Sequence, residues 1–135
     1  MLEDNLDRIN RFNSILEQHD GETRIVVRRT AKGFIQAHTQ LNFAPTLIAL
    51  DHDLFTDKPD DPDPGDGRDV AVHLAECKPN SPILIHSTNA PAAESMLLTL
   101  RDAKWTADRI APIGDDWIES YWYPVAIELI ARKTS

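Results

Sequence analysis

Two short runs, Pro45-Thr46-Leu47-Ile48-Ala49-Leu50 and Ser81-Pro82-Ile83-Leu84-Ile85-His86, are apolar on both faces of a would-be strand. An antiparallel strand with one wet face alternates, so runs of this kind belong inside a parallel sheet covered on both sides. Helical periodicity surrounds them. Leu6, Ile9, Phe12 and Ile15/Leu16 share one face of a helix over 5–18, and Thr30 caps a second helix carrying Phe34, Ile35, His38 and Leu41. Gly67 to Cys77, Ala92 to Ala103 and a segment with Ile118, Tyr121, Trp122, Val125 and Leu129 read as three more. Thr23 to Arg29 and Arg109 to Ile113 read as further strands, Asp115/Asp116 as caps of the last helix, and Pro124 as a kink within it.

Helices and strands therefore alternate, which implies right-handed βαβ units and a three-layer α/β sandwich of the flavodoxin-like kind. At 135 residues the chain suits one domain, 1–135. A five-stranded version, order 2-1-3-4-5, needs a strand before the first helix, and the chain supplies only Met1 and Leu2. The expectation is a truncated first strand and a natural start upstream of Met1.

Charge and composition limit the partners. The net charge of −8 repels nucleic-acid phosphate, so duplex DNA is not expected as a ligand. Residues 51–69 hold eight aspartates against Lys58 and Arg68, which places −6 of that charge beside one strand end. No apolar run approaches the ~20 residues that span a bilayer, and the opening residues lack a signal-peptide pattern. A cytoplasmic protein is expected. Cys77 is the sole cysteine, which excludes an internal disulfide and a thiolate metal cluster, and it reads as a small buried residue. His19, His38 and His73 read as helix or turn histidines.

Ligands of open parallel sheets bind at the carboxyl ends of the strands. Those ends carry Glu3-Asp4, Asp51-His52-Asp53, His86-Ser87-Thr88-Asn89 and Pro112-Ile113-Gly114. Glu3, Asp4 and Asp51 together make an oxygen-ligand set for a hard divalent cation such as Mg²⁺. Arg8, one helical turn after Asp4, is a phosphate-binding candidate. The Asp-rich loop fails the EF-hand pattern, because Asp66 stands where that loop needs glycine and Val72 where it needs glutamate. It reads as a solvated, proline-stiffened loop, with a ligand-covering lid as the sharper alternative.

Leu2-Glu3-Asp4-Asn5, Leu50-Asp51-His52-Asp53-Leu54, Asp66-Gly67-Arg68-Asp69-Val70 and Pro82-Ile83-Leu84-Ile85-His86-Ser87 resemble receiver domains of response regulators, from residue 1 to about 131. The resemblance implies that Glu3 and Asp4 hold Mg²⁺, that Asp51 stands at the phosphorylated aspartate and that Ser87 is the switch residue. A receiver's fifth strand ends in lysine then proline, and residues 108–114 contain no lysine. His52 and His86 are additions that resemble a narrower branch, the cyclic-phosphate processing receiver domains.

That branch implies metal-assisted hydrolysis of a cyclic phosphate or cyclic nucleotide, with a small phosphorylated ligand or an RNA cyclic-phosphate end as substrate. Such a phosphodiesterase would use His52, His86 and Asp51 as catalytic groups, and Ser87, Asn89 and Arg8 to bind phosphate. His52 and His86 are expected within reach of one another. Strand alternation argues against the pair, since His52 should face away from Asp51 and Ser87 away from His86. The alternatives are a degenerate receiver acting as a protein-interaction module without phosphotransfer and a working phosphoacceptor. Trp117, Tyr121, Trp122 and Tyr123 load the last helix with aromatics, which suggests a homodimer through it.

Overall fold

The computed structural model describes the backbone of residues 1–134 and the side chains of residues 1–132. Three parallel strands, β1 (Ile48–Leu50), β2 (Ile83–His86) and β3 (Ala107–Ile110), form the sheet in that order. Their register runs from Ile48 opposite Ile83 and Ile83 opposite Ala107 to His86 opposite Ile110. Five α-helices cover it: α1 (Leu6–Asp20), α2 (Ala31–Thr39), α3 (Gly67–Ala75), α4 (Ala90–Asp102) and α5 (Tyr123–Thr134).

The starts of α1 to α4 each have a local cause. The Asn5 side chain accepts from the Arg8 amide at 3.0 Å, Thr30 from Gly33 at 3.0 Å and Asn89 from Ala92 at 3.2 Å. Asp66 and Asp69 satisfy each other's backbone amides in a capping box at 3.0 Å each way, which fixes the first turn of α3. Helix α1 stops where Gly21 takes φ 69°, a left-handed conformation that costs glycine little.

The sheet separates two cores. Ile48, Leu50, Ile83 and Ile85 point into one, packed by Phe34, Val70, Leu74, Met96 and Leu100 from α2, α3 and α4. Ala49 and Leu84 point into the other, against Phe12 and Leu16 of α1 and Ile118, Trp122 and Leu129. Side chains alternate faces along a strand, so Asp51 and His86 continue the α1 side, and His52 continues the α3 side.

Several sequence expectations need correction. Thr23 to Arg29 is not a regular strand: Leu2 makes single parallel bridges to Arg28 and to Leu50. The Met1 amino group donates to the Val26 carbonyl at 2.8 Å, the Arg28 amide to Met1 at 2.9 Å and the Glu3 amide to Arg28 at 3.1 Å, which makes one bridge and not a ladder. The last strand is 107–110 rather than 109–113, because β2 ends opposite Ile110 and Pro112 has no amide with which to extend the ladder. Asp115 and Asp116 do not cap the last helix. Its first turn, Ile118–Trp122, is π-helical with no side-chain cap, and the Tyr123 amide reaches back to Ile118. Pro124 follows at once, so the wide turn absorbs the missing donor that the sequence assigned to a kink. Trp117 and Trp122 are buried and only Tyr121 is strongly exposed, so most of this aromatic load is core.

Candidate functional site

Glu3 follows Leu2, Asp51 follows β1 and His86 ends β2, so three neighbouring backbone segments deliver three polar side chains to the α1 side at their carboxyl ends. All three are buried. One donor atom from each lies within 4.8 Å of the others. Glu3 Oε1 is 3.0 Å from His86 Nε2, and Glu3 Oε2 accepts from the Asp4 and Asn5 amides at 3.0 and 3.1 Å. Asp51 Oδ1 accepts from the His52 amide at 2.7 Å.

Burial by itself raises the Glu3 pKa, but the His86 hydrogen bond and charge, the Asn5 amide and Arg8 together carry it below its ordinary value. Glu3 is therefore ionised, and His86 donates to it from Nε2. His86 Nδ1 is buried with no hydrogen-bond partner among the described residues. Asp51 goes the other way: burial and then the Glu3 charge push it up to about 8, against the His52 amide and Arg8. Two buried carboxylates this close do not both ionise without added positive charge.

Part of that charge comes from α1. Arg8 Nη1 lies 3.7 Å from both Glu3 Oε1 and Asp51 Oδ2. Its guanidinium is also 5.2 Å from the Trp117 ring centroid, within cation–π range. Arg8 and Trp117 then line a cavity of about 510 Å³, bounded also by Asn5, Asp7, Arg11, Gly114 and Asp115, so its wall carries two arginines and two aspartates. Arg8 thus joins the buried acids to an open cavity. The sequence leaves Asp51 without the strand-end lysine of a receiver, and the fold sets an arginine from α1 beside it.

The remaining candidates are placed differently. Asp4 is not among the three clustered donors; its Oδ2 accepts from the Phe55 amide at 2.8 Å, which ties the 53–57 segment to the rim. Burial raises the Asp4 pKa, and the Glu3 charge adds to this against the Phe55 amide. His52 and His86 do not meet as a pair. His52 Nδ1 is 2.7 Å from Asp53 Oδ1 and its Nε2 is 3.7 Å from Asp66 Oδ2, while His86 packs against Phe12 and Trp117 at 5.3 and 5.7 Å. Alternation along the strands separates them, as it does Ser87 from His86. Ser87 Oγ accepts from the Asn89 amide at 3.1 Å, and Asn89 caps α4 and reaches Asp53 at 3.4 Å. Their polar groups serve the local turn.

Two contributors carried no signal of their role. Phe12 reads as core by period alone, yet its ring closes one side of His86. Arg29 holds the Asp4 carbonyl at 2.9 Å and Asp57 at 3.1 Å, clamping the acidic loop to the rim.

The family model described as the cyclic-phosphate processing receiver domain matches residues 2–102. The chain belongs to that family. The matched stretch of this receiver domain holds Glu3, Asp4, Arg8, Asp51, His52, His86, Ser87 and Asn89, and it ends with α4. Trp117 and the cavity wall at Gly114 lie beyond it. No curated protein matches the chain. Among the described residues, no helix is long and apolar enough to cross a membrane.

Proposed function

We propose that this receiver domain hydrolyses a cyclic phosphate or cyclic nucleotide with the help of a divalent cation. The observation that carries the reading is the buried cluster of Glu3, Asp51 and His86 donors with Arg8 3.7 Å from both acids, Arg8 itself also lining a cavity. Family membership agrees with it. The receiver-type order 2-1-3-4-5 is part of the same proposal, with Leu2 as the remnant of the central strand and Arg28 as that of its outer neighbour.

The donor set fits a cation. Burial first and the Glu3 charge second hold Asp51 protonated at neutral pH, and an added divalent charge would offset both. His86 would serve as third donor through Nε2 once its proton moves to Nδ1, the nitrogen that has no partner. Glu3 and Asp51, with His86 beside them, would hold Mg²⁺ or Mn²⁺, which would supply Lewis-acid charge to a phosphoryl group and lower the pKa of a bound water.

The chain's own residues do the rest. Arg8 faces the cavity and meets the charge that develops on the non-bridging phosphoryl oxygens. Trp117 holds the guanidinium in place and, with Phe12, keeps water away from His86. Before a cation binds, His86 positions Glu3 by its Nε2 hydrogen bond. In the net reaction one ring P–O bond breaks, the oxygen of one water ends on phosphorus, and a proton of that water ends on the released hydroxyl. His52 lies on the opposite face and is not assigned a proton-transfer role.

The test is hydrolysis of 2′,3′-cyclic nucleotides and of RNA ending in a 2′,3′-cyclic phosphate, with Mg²⁺ or Mn²⁺ and with chelator. Turnover that needs the cation is expected, with Arg8→Ala lowering kcat/KM by about 100-fold, the usual cost of one charge-stabilising donor. Turnover insensitive to Glu3→Gln and Arg8→Ala, or none with any cyclic phosphate, would sink the proposal.

A further inference from the structure

Away from the carboxyl ends of the strands, α2 and α3 bring together three side chains to which the sequence assigns no joint role. His38 Nδ1 is 3.1 Å from His73 Nε2, and Cys77 Sγ is 3.9 Å from the same His73 nitrogen. All three donor atoms fall within 4.8 Å of one another, and each residue is half-buried. Helix α3 starts at Gly67 beside Asp51 and runs away from it, so His73 lies about 9 Å of helix rise from that start. The cluster is separate from Glu3, Asp51 and His86.

We propose that His38, His73 and Cys77 form a binding site for a borderline-soft divalent cation, of which Zn²⁺ is the type, with a fourth position open to water or a further ligand. Tetrahedral bond lengths of ~2.0 Å to nitrogen and ~2.3 Å to sulfur put donors roughly 3.3 Å apart for N–N and 3.6 Å for N–S. The two pairs that share His73, at 3.1 and 3.9 Å, need shifts of only a few tenths of an ångström, and the His38–Cys77 pair lies within 4.8 Å. Cys77 lies in the turn just after α3, where its amide donates to the Leu74 carbonyl at 2.9 Å and its thiol to the His73 carbonyl at 3.4 Å, which keeps the sulfur beside the His73 ring. Phe34 stacks in parallel on His38, its ring 6.3 Å away, and steadies the third donor.

The chemistry selects this class of ion. Two imidazoles and a thiol suit Zn²⁺, Co²⁺ or Cu⁺ and suit Mg²⁺ poorly. Facing ring nitrogens 3.1 Å apart must otherwise share one proton between them. Binding would release the Cys77 proton to solvent and leave a thiolate on the metal. The bound ion would tie α2 to α3.

Reduced, metal-free full-length protein titrated with Co²⁺ reads the site directly. The expected result is one equivalent giving a sulfur-to-cobalt charge-transfer band and the strong visible bands of tetrahedral Co²⁺, both removed by excess Zn²⁺. Cys77→Ser should abolish the sulfur band and weaken Zn²⁺ binding, measured against a chromophoric chelator, by at least about 100-fold, the upper end of an outer-shell loss. His38→Gln should weaken it similarly, with circular dichroism confirming that both variants fold. His86→Gln should leave the sulfur band unchanged. Absence of the band in the folded wild type, or binding lost in His86→Gln and kept in Cys77→Ser, overturns the proposal. The phosphodiesterase reading stands or falls separately, because its test does not use these residues.

Discussion

Asp51 shows how one residue's surroundings decide its chemistry. Its folded-state pKa is raised from an ordinary 3.8 to about 8, so the fold favours the protonated acid. The sign follows by linkage: this favourable contribution is complete below the ordinary carboxylate range of about 4 and is lost as pH rises toward 8. Asp51→Asn, which cannot ionise, should be more stable than wild type by an amount that grows from near zero at pH 4 to on the order of a few kcal/mol at pH 8. Denaturant unfolding of both proteins across that range checks it. Glu3 has the opposite sign, its pKa being lowered on folding, so its contribution is lost only as pH falls below its ordinary 4.5. The two windows separate the residues. A gap between wild type and Asp51→Asn that stays flat with pH would contradict the electrostatic account.

Among the elements, the junction between the Asp51-His52 segment and α3 is the tightest. The Gly67 amide donates to the His52 carbonyl at 3.0 Å, and a Cβ on Gly67 would collide with the Asp51 carbonyl oxygen and the His52 Cα. Both obstacles are backbone, so neither can swing aside. Gly67→Ala should cost at least about 2 kcal/mol in thermal or chemical unfolding, the overpacking range, and should also impair the site by displacing Asp51. The Asp-Gly pair after the acidic loop is visible in the sequence as a helix start. Its second duty, close approach to the site backbone, is invisible there because the two segments are 15 residues apart and meet only when α3 packs.

At the scale of the molecule, the second core serves both stability and the site. Phe12 is fully buried and touches His86, Trp117 and Trp122 with ring centroids 5.3, 5.8 and 4.6 Å away. Phe12→Ala should destabilise the domain by about 3–5 kcal/mol and admit water to His86. Tryptophan fluorescence should shift to the red in the folded variant as Trp117 and Trp122 gain polar neighbours; an unshifted spectrum would mean the core collapses to close the gap.

What the sequence determined by itself is the alternation of apolar runs and amphipathic helices, hence the parallel sheet, and the placement of the acids Glu3 and Asp51 at the carboxyl ends of its strands. Those follow from period and chain order, which are local. The sequence also held the warning that His52 and Asp51 face opposite ways, since alternation is a property of two adjacent residues. Tertiary structure alone decided that Glu3 pairs with His86 across 83 residues, that Arg8 supplies the cation no strand provides, and that Trp117 covers them both. It also decided that Thr23 to Arg29 meets residues 1–3 through a single bridge, Leu2 with Arg28, and not a ladder. Distances between segments and the cost of burying charge depend on how helices pack on the sheet, and no periodicity within a segment encodes them.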